Sequence, residues 1–412
     1  PAPRLFMQTP RKNFGNDCMV KLAKHYEEGD GIMVDLEQAY DLYKQAFQHT
    51  GNSPNFGVCD DRVVFETWKR LSEKGHIASL NELGVCYEKG IGVTQDKKKA
   101  YELYEKAAKS GDIEALFNVG RCFDKGECVE KDFSKAYECF MKAALCGHTG
   151  AMVKIGDYHK LGNGLPQDKK KAFEWYLKAS NNGDTVAMRN VGVCYSKGQG
   201  VAQDFTKAYE WFLKSANNGN AVAMRIVGLC SQNGDGVTQD YTKAFEWFLK
   251  SANNGDRAAM FLVGDYYLEG LGVVKNDTKA FEWFLKSAKK GYGGSMYSVG
   301  VCYSKGEGVT QDFTKAFKWF LKSAEKGNAA AMFNVGVCYE TGLGVTKDST
   351  KAFDWYLKSA SKGDIDAMRN VAKCYQNGQG VTQDNVKASE WSLKAANNGD
   401  GDAKSTIEKW EK

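Results

Sequence analysis

DTVAMRNVGVCYSKGQGVAQDFTKAYEWFLKSANNG, residues 184–219, is one unit of a pattern that recurs along the chain in a fixed frame. Its first half carries Ala187, Met188, Val191, Gly192 and Tyr195 at helical spacing, the stripe by which a helix meets a core. Asp184 precedes that stripe and is placed to cap it, its carboxylate accepting an otherwise orphan backbone N–H. Gly198 and Gly200 turn the chain. Asp204 then caps a second helix whose inner face reads Ala208, Trp211, Phe212 and Ala216. The unit is a helical hairpin. Each of its helices is near the length at which an isolated helix is marginal in water, so stacking on the next hairpin must supply the stability.

The columns bear this out along the sequence. One glycine returns every 36 residues from Gly75, Gly111 and Gly147 to Gly399; a second column runs from Gly84 to Gly336 and ends at Ala372; a third runs from Gly90 to Gly378. A fixed period between about 20 and 50 residues is the signature of a repeat array. Gly192, mid-helix, costs about 1 kcal/mol of propensity and reads as a point of close helix approach. Trp175, Trp211, Trp247, Trp283, Trp319, Trp355 and Trp391 hold one column and predict a continuous, buried aromatic spine. The expected fold is all-α, a right-handed superhelical solenoid of stacked antiparallel helical hairpins.

Composition agrees. At 412 residues a globular chain would divide into two or three domains, but an array has no such limit. Only 5 prolines are present, four of them before residue 55, which leaves the rest free to be helical. Lys+Arg 56 against Asp+Glu 51 gives a net charge of +5, too balanced for a duplex-binding surface. No stretch approaches the ~18–20 apolar residues of a membrane span, and residues 1–14 lack the apolar core of a signal peptide. The sequence does not start with Met, so an upstream segment is compatible with it.

The ends differ from the middle. Tyr26, Gly29, Gly31, Asp35, Ala39 and Tyr43 match the template, but 61 residues separate Ala39 from Ala100, its counterpart. The extra length reads as a loop from His49 to Asp61 and a further helix near Val63 to Lys74. Residues 1–75 are thus an atypical first repeat with an insertion, 76–399 are nine repeats of 36 residues, and 400–412 are a capping helix segment, Asp402 to Trp410.

Ala187, Gly192, Tyr195, Gly198, Gly200, Val201, Asp204, Lys207, Ala208, Trp211, Lys214, Ser215, Ala216 and Gly219 form a frame that resembles the Sel1-like repeat, a 36-residue relative of the tetratricopeptide repeat. The resemblance covers essentially residues 17–399. It implies an adaptor or scaffold in complex assembly, membrane-protein quality control or signalling, with no kinase domain attached here. Cysteine-rich bacterial members carry paired cysteines in each hairpin. Here most units have one: Cys86, Cys122, Cys194, Cys230, Cys302, Cys338 and Cys374 share a column whose neighbours should stand ~8–10 Å apart, too far for a disulfide. Buried reduced thiols are the expectation. Cys128, Cys139 and Cys146 depart from the column and leave a local disulfide or metal pair as the alternative.

No catalytic signature occurs. The five histidines (His25, His49, His76, His148, His159) do not form one column, and the two that do align, His76 and His148, simply take the helix-capping place of Asp112. The G-x-G-V turns lie between helices and recur in every unit, so they are turns and not phosphate loops. Asp204, Asp240, Asp312, Asp348 and Asp384 read as N-caps. No cofactor or metal is expected. The chain reads as a non-enzyme.

A recognition surface is suggested by contrast. Beside the fixed framework, the residue after the packing Met varies: Asn81, Phe117, Val153, Arg189, Arg225, Phe261, Tyr297, Phe333, Arg369. Four and seven residues on, the same face carries Arg121, Asp157, Val193, Leu229, Asp265, Val301, Val337 and Lys373, then Asp124 to Gln376. These positions are expected to line the concave side. Arg189, Arg225, Phe261, Tyr297, Phe333 and Arg369 are the expected anchors, since Phe and Arg are favoured in interfaces; padding of the inter-repeat core is the competing explanation for the phenylalanines. The expected function is a non-catalytic, cytoplasmic protein-binding adaptor for peptides of mixed apolar and acidic character. Self-association through the array ends is the alternative, and RNA binding or a hydrolase activity like that of cysteine-rich relatives ranks below both. The lysine column Lys106 to Lys394 reads as side chains snorkelling over the Trp column, not as an RNA stripe. Asn276 begins a lone glycosylation sequon, which matters only in a secreted chain.

Overall fold

A computed structural model describes residues 16–30, 33–48 and 60–400. Among these there are twenty-one α-helices and no strand. The first hairpin pairs Asn16–Glu28 with Leu36–Gln48, and an extra helix, Asp61–Glu73, follows. Hairpins then run from Ile77–Lys89 with Lys97–Lys109 to Ile365–Asn377 with Asn385–Asn397. Most of the proposed 49–61 loop and the whole Asp402–Trp410 segment lie outside the described residues. The chain forms two compact units, one reaching Cys194 and including Gly198–Ala202, the other holding Tyr195–Lys197 and everything from Gln203. Within each unit consecutive helices pack antiparallel, and the fold is an all-α hairpin solenoid.

The caps are those the residue types dictate. Asp184 Oδ1 accepts the Ala187 N–H at 2.7 Å, Asp240 Oδ1 that of Lys243 at 2.9 Å, and Asn276, of the sequon, that of Lys279 at 2.9 Å. His148 does the same work through Nδ1, accepting from Ala151 at 2.9 Å. Tyr292 has no capping side-chain bond.

Two glycine columns are steric necessities. A Cβ at Gly228 would stand 2.5 Å from the ring of Phe248, and one at Gly264 2.7 Å from Phe284, so the mid-helix glycines are sockets for a buried aromatic of the partner helix. The second glycine of the turn has φ near +70° and approaches the preceding repeat: a Cβ at Gly200 would lie 2.0 Å from the Lys169 carbonyl oxygen. Cys128 holds this place in one repeat without a positive φ.

The expected Trp spine is not found. The buried ring of the second helix is the next residue, Tyr104, Phe140, Tyr176, Phe212, Phe248, Phe284, Phe320 or Tyr356. The tryptophans are half-buried; Trp283 packs against a cluster formed by Ala244, Phe248 and Ala252 of the preceding hairpin together with Ala259, Met260 and Val263 of its own. Among the described residues no two of them stack. Their outer faces are covered by the lysine three residues on, Lys214 Nζ standing 4.4 Å from the Trp211 ring and Lys394 4.1 Å from Trp391. The snorkelling expected of that column is present wherever it has a Trp beneath it. The reason for the correction is local: Phe248 points at the socket glycine of its own hairpin, which leaves Trp247 one residue round the helix and at the seam.

The column cysteines Cys86, Cys122, Cys194, Cys230, Cys302, Cys338 and Cys374 are buried free thiols; Cys128 and Cys139 are half-buried and Cys146 is exposed, all free. The second unit adds a hydroxyl tie: Ser251, Ser287, Ser323 and Ser359 each donate to a first-turn carbonyl of their own hairpin's first helix, Ser287 to Arg257 O at 2.6 Å.

Candidate partner-binding face

On the first helices, Ala, Val, Gly and Cys of the framework are buried between neighbours, so the variable columns are what remains at the surface. Arg189, Arg225, Phe261, Tyr297 and Phe333 are half-buried, and Arg369 is exposed. Arg189 belongs to the first unit and the other five to the second.

Each anchor residue has an internal neighbour. Phe261 lies 5.6 Å from Phe284, Tyr297 5.8 Å from Phe320 and Phe333 5.6 Å from Tyr356, centroid to centroid, so one edge of each ring pads the hairpin while the other stays open. Arg225 Nε donates to Asp256 Oδ2 at 3.0 Å, and Arg369 Nε to Asp400 Oδ2 at 3.0 Å; Arg189 donates to Asn190 Oδ1 at 3.1 Å. Asp256 and Asp400 are 31 residues further on, at the cap of the following first helix or its place. The same spacing joins Phe117 to His148 (4.5 Å, stacked) and Phe261 to Tyr292 (5.6 Å). Part of the variability read as partner-directed is therefore matched inside the chain, arginine to carboxylate and ring to ring. A comparison of each variable residue with the cap 31 positions later would have shown it. The match is partial, since the residues 31 positions after Tyr297 and Phe333 are Asn328 and Asp364.

The polar groups of the face are also tied down. The Tyr104 hydroxyl donates to Glu88 Oε2 at 2.7 Å, Tyr158 to Asp124 Oδ1 at 2.8 Å, Tyr176 to Asp157 Oδ1 at 2.7 Å, and Tyr266 to Gln232 Oε1 at 2.9 Å. Burial, reinforced by the acceptor carboxylates of Glu88 and Asp157, pushes the Tyr104 and Tyr176 hydroxyls well above the usual phenol range, so they stay protonated and donate to those carboxylates. In the second unit Leu229, Phe261, Leu268, Tyr297, Val301, Phe333 and Val337 are half-buried, each packed against a core cluster, and together form an apolar strip over successive first helices.

No group of three His, Cys, Asp or Glu side chains among the described residues is placed to hold a metal. Away from the face, an open hollow of about 440 Å³ is lined by Tyr137, Glu138, His159, Asp168 and Lys171. Burial keeps the His159 imidazole below its ordinary pKa and hence neutral, with Nε2 3.3 Å from the Tyr137 hydroxyl.

The Sel1 repeat family model matches ten segments, residues 16–49, 77–112, 113–148, 149–184, 185–220, 221–256, 257–292, 294–328, 329–364 and 365–400. This chain belongs to the Sel1 repeat family. Two solved structures share its arrangement. A protective antigen present in uropathogenic Escherichia coli strains, which displays an SLR fold, is 28% identical with a TM-score of 0.59 over 93% of this chain and 86% of its own. A Sel1 repeat protein from Oxalobacter formigenes is 26% identical with a TM-score of 0.58, covering 77% of this chain and 94% of that one. A search of curated proteins gives no match. Membership fixes the Sel1 scaffold, a fold commonly used for protein interaction, and no partner comes with it. No helix among the described residues is long and apolar enough to cross a membrane.

Proposed function

We propose that this Sel1 repeat chain is a non-catalytic adaptor that binds a partner protein along the first-helix face of its second unit. The observation that carries the reading is the half-buried apolar strip, its outer edges still in reach of solvent, over the helices Ala221–Asn233, Arg257–Glu269, Gly293–Lys305 and Ala329–Thr341. Soluble surfaces rarely keep contiguous apolar side chains without a use for them. Aromatic residues such as Phe261, Tyr297 and Phe333 are the anchors that interfaces favour. The arginines contribute less than their residue type suggests, because Arg225 and Arg369 already hold carboxylates. In this reading residues 1–75 serve as the N-terminal end unit, the regular repeats of the second unit carry the face, and the chain works in the cytoplasm, where its column thiols stay reduced.

The test is affinity capture from a lysate of the source organism with the intact chain and with a Phe261→Ala, Tyr297→Ala, Phe333→Ala variant. A protein retained by the first and lost by the second, with helicity and melting cooperativity equal, supports the reading. Equal retention by both, or none by either, overturns it.

A further inference from the structure

One carboxylate on this face lacks the partner its equivalent has. Asp157 and Asp265 occupy the same column three repeats apart. Asp157 accepts the hydroxyl of Tyr176 at 2.7 Å. The residue in the place of Tyr176 is Phe284, which is buried and has no hydroxyl to give. Elsewhere in the second unit the column avoids this mismatch by being apolar where the buried ring is Phe: Leu229 with Phe248, Val301 with Phe320. Asp265 is half-buried, and among the described residues no hydrogen-bond donor or cation is paired with it. Its register neighbours on the adjoining first helices are Leu229 and Val301, with Phe261 and Leu268 one turn to either side.

Resting on the adaptor reading above, we infer that Asp265 is the specificity anchor of the face: it receives a lysine or arginine of the partner segment, flanked in that segment by apolar residues that lie on Phe261 and Tyr297. Charge settles the sign. Arg225 and Arg369 are held by Asp256 and Asp400, so the central uncompensated charge of the strip is negative, and Glu269 adds to it. Burial first, and Glu269 second, hold the Asp265 carboxyl above the usual carboxylate range. The partner preferred is therefore basic and apolar, not acidic and apolar as the arginines alone suggest. The partner cation supplies what Tyr176 supplies to Asp157, as a charge-assisted bond in a partly dry setting.

The experiment is selection of a displayed random dodecapeptide library on the full chain, followed by fluorescence-anisotropy titration of the enriched peptide. The expected peptides carry one Lys or Arg between apolar residues, and their affinity falls about 10- to 100-fold on Asp265→Asn, as for loss of a hydrogen bond to a charged group. Phe284→Tyr should weaken binding as well while leaving the carboxylate in place, because it gives Asp265 the internal donor that Asp157 has. Tyrosine is native at this position in four repeats (Tyr43, Tyr104, Tyr176, Tyr356), so the variant is expected to fold. Asp265→Lys should turn the preference to the peptide with Glu in place of its basic residue. Peptides that bind with no basic residue and ignore Asp265→Asn, yet weaken on Tyr297→Ala, overturn the anchor and leave the adaptor reading standing. A library that yields no binder overturns both.

Discussion

Residues in this chain act in pairs, and the costs of changing one member can be ranked. Phe248 is fully buried in the socket of Gly228, whereas its neighbour Trp247 is half-covered and capped by Lys250 at 4.3 Å. Phe248→Ala is expected to cost about 3–5 kcal/mol, and Trp247→Ala, with less surface to lose, under about 2 kcal/mol. Urea midpoints of the two variants check the order. Gly228→Ala forces a methyl against the Phe248 ring and should cost about 1–3 kcal/mol despite the better helix propensity of alanine. The last hairpin shows the pair relaxed together: where the aromatic becomes Ser392, the socket becomes Ala372. Thiol chemistry follows burial. Burial pushes Cys230, Cys302, Cys338 and Cys374 up to about 11, so among the described cysteines native protein at pH 8 should label first at exposed Cys146 and reach the column only on unfolding. Mass-mapped labelling against time decides it.

Among the elements, the extra helix Asp61–Glu73 is held by charge as much as by packing. Glu27 of the first helix is fully buried and accepts from Arg70 at 2.6 Å, Lys74 at 2.8 Å and Tyr43 at 3.0 Å. Burial would raise its pKa, but Arg70, Lys74 and Tyr43 together bring it down to about 2. A carboxylate depressed in the fold stabilises above its unfolded value near 4.5 and loses that contribution as pH falls towards 2. Amides of Asp61–Glu73 should therefore lose protection from hydrogen exchange over this window before those of the regular hairpins, and Glu27→Gln should abolish the pH dependence. Asp265 behaves oppositely: its carboxyl is raised, so its charge disfavours the fold above that pKa and is without effect below the unfolded one. Asp265→Asn should raise the melting temperature slightly at pH 7 and leave it unchanged at pH 3. This element-level logic was only partly legible in the sequence. Period, caps and turns followed from glycines and aspartates whose roles are local. The tryptophan column was misread because a one-residue rotation on a helix separates core from seam, and composition does not register it. The arginines looked free because their partners, Asp256 and Asp400, lie 31 residues away. Asp265 was visible as a column member, but its lack of a donor required knowing that position 284 faces it.

At the scale of the whole molecule, within each unit a hairpin contacts chiefly the hairpins next to it, so the stability of a unit is close to a sum of hairpin and interface terms. Removing residues 221–256 in frame should leave helicity per residue unchanged and lower the melting temperature without loss of cooperative unfolding; circular dichroism on the deletion checks this. Ablation of the Arg225–Asp256 pair is built into that variant, since both residues leave together.

That last detail bears on how such genes grow. Within the regular array the framework columns are nearly uniform, so a tandem duplication of 36 codons preserves the buried core wherever its breakpoints fall. The 31-residue pairs are not uniform, and a breakpoint between their members sets Arg225 opposite Asn220 in one daughter copy. Only crossovers in the five codons left between the spacing and the period, those of residues 257–261, pass every pair on intact. Recombination history should therefore cluster at the first turn of the first helix, and nucleotide identity between neighbouring units should break there more often than anywhere else in the repeat.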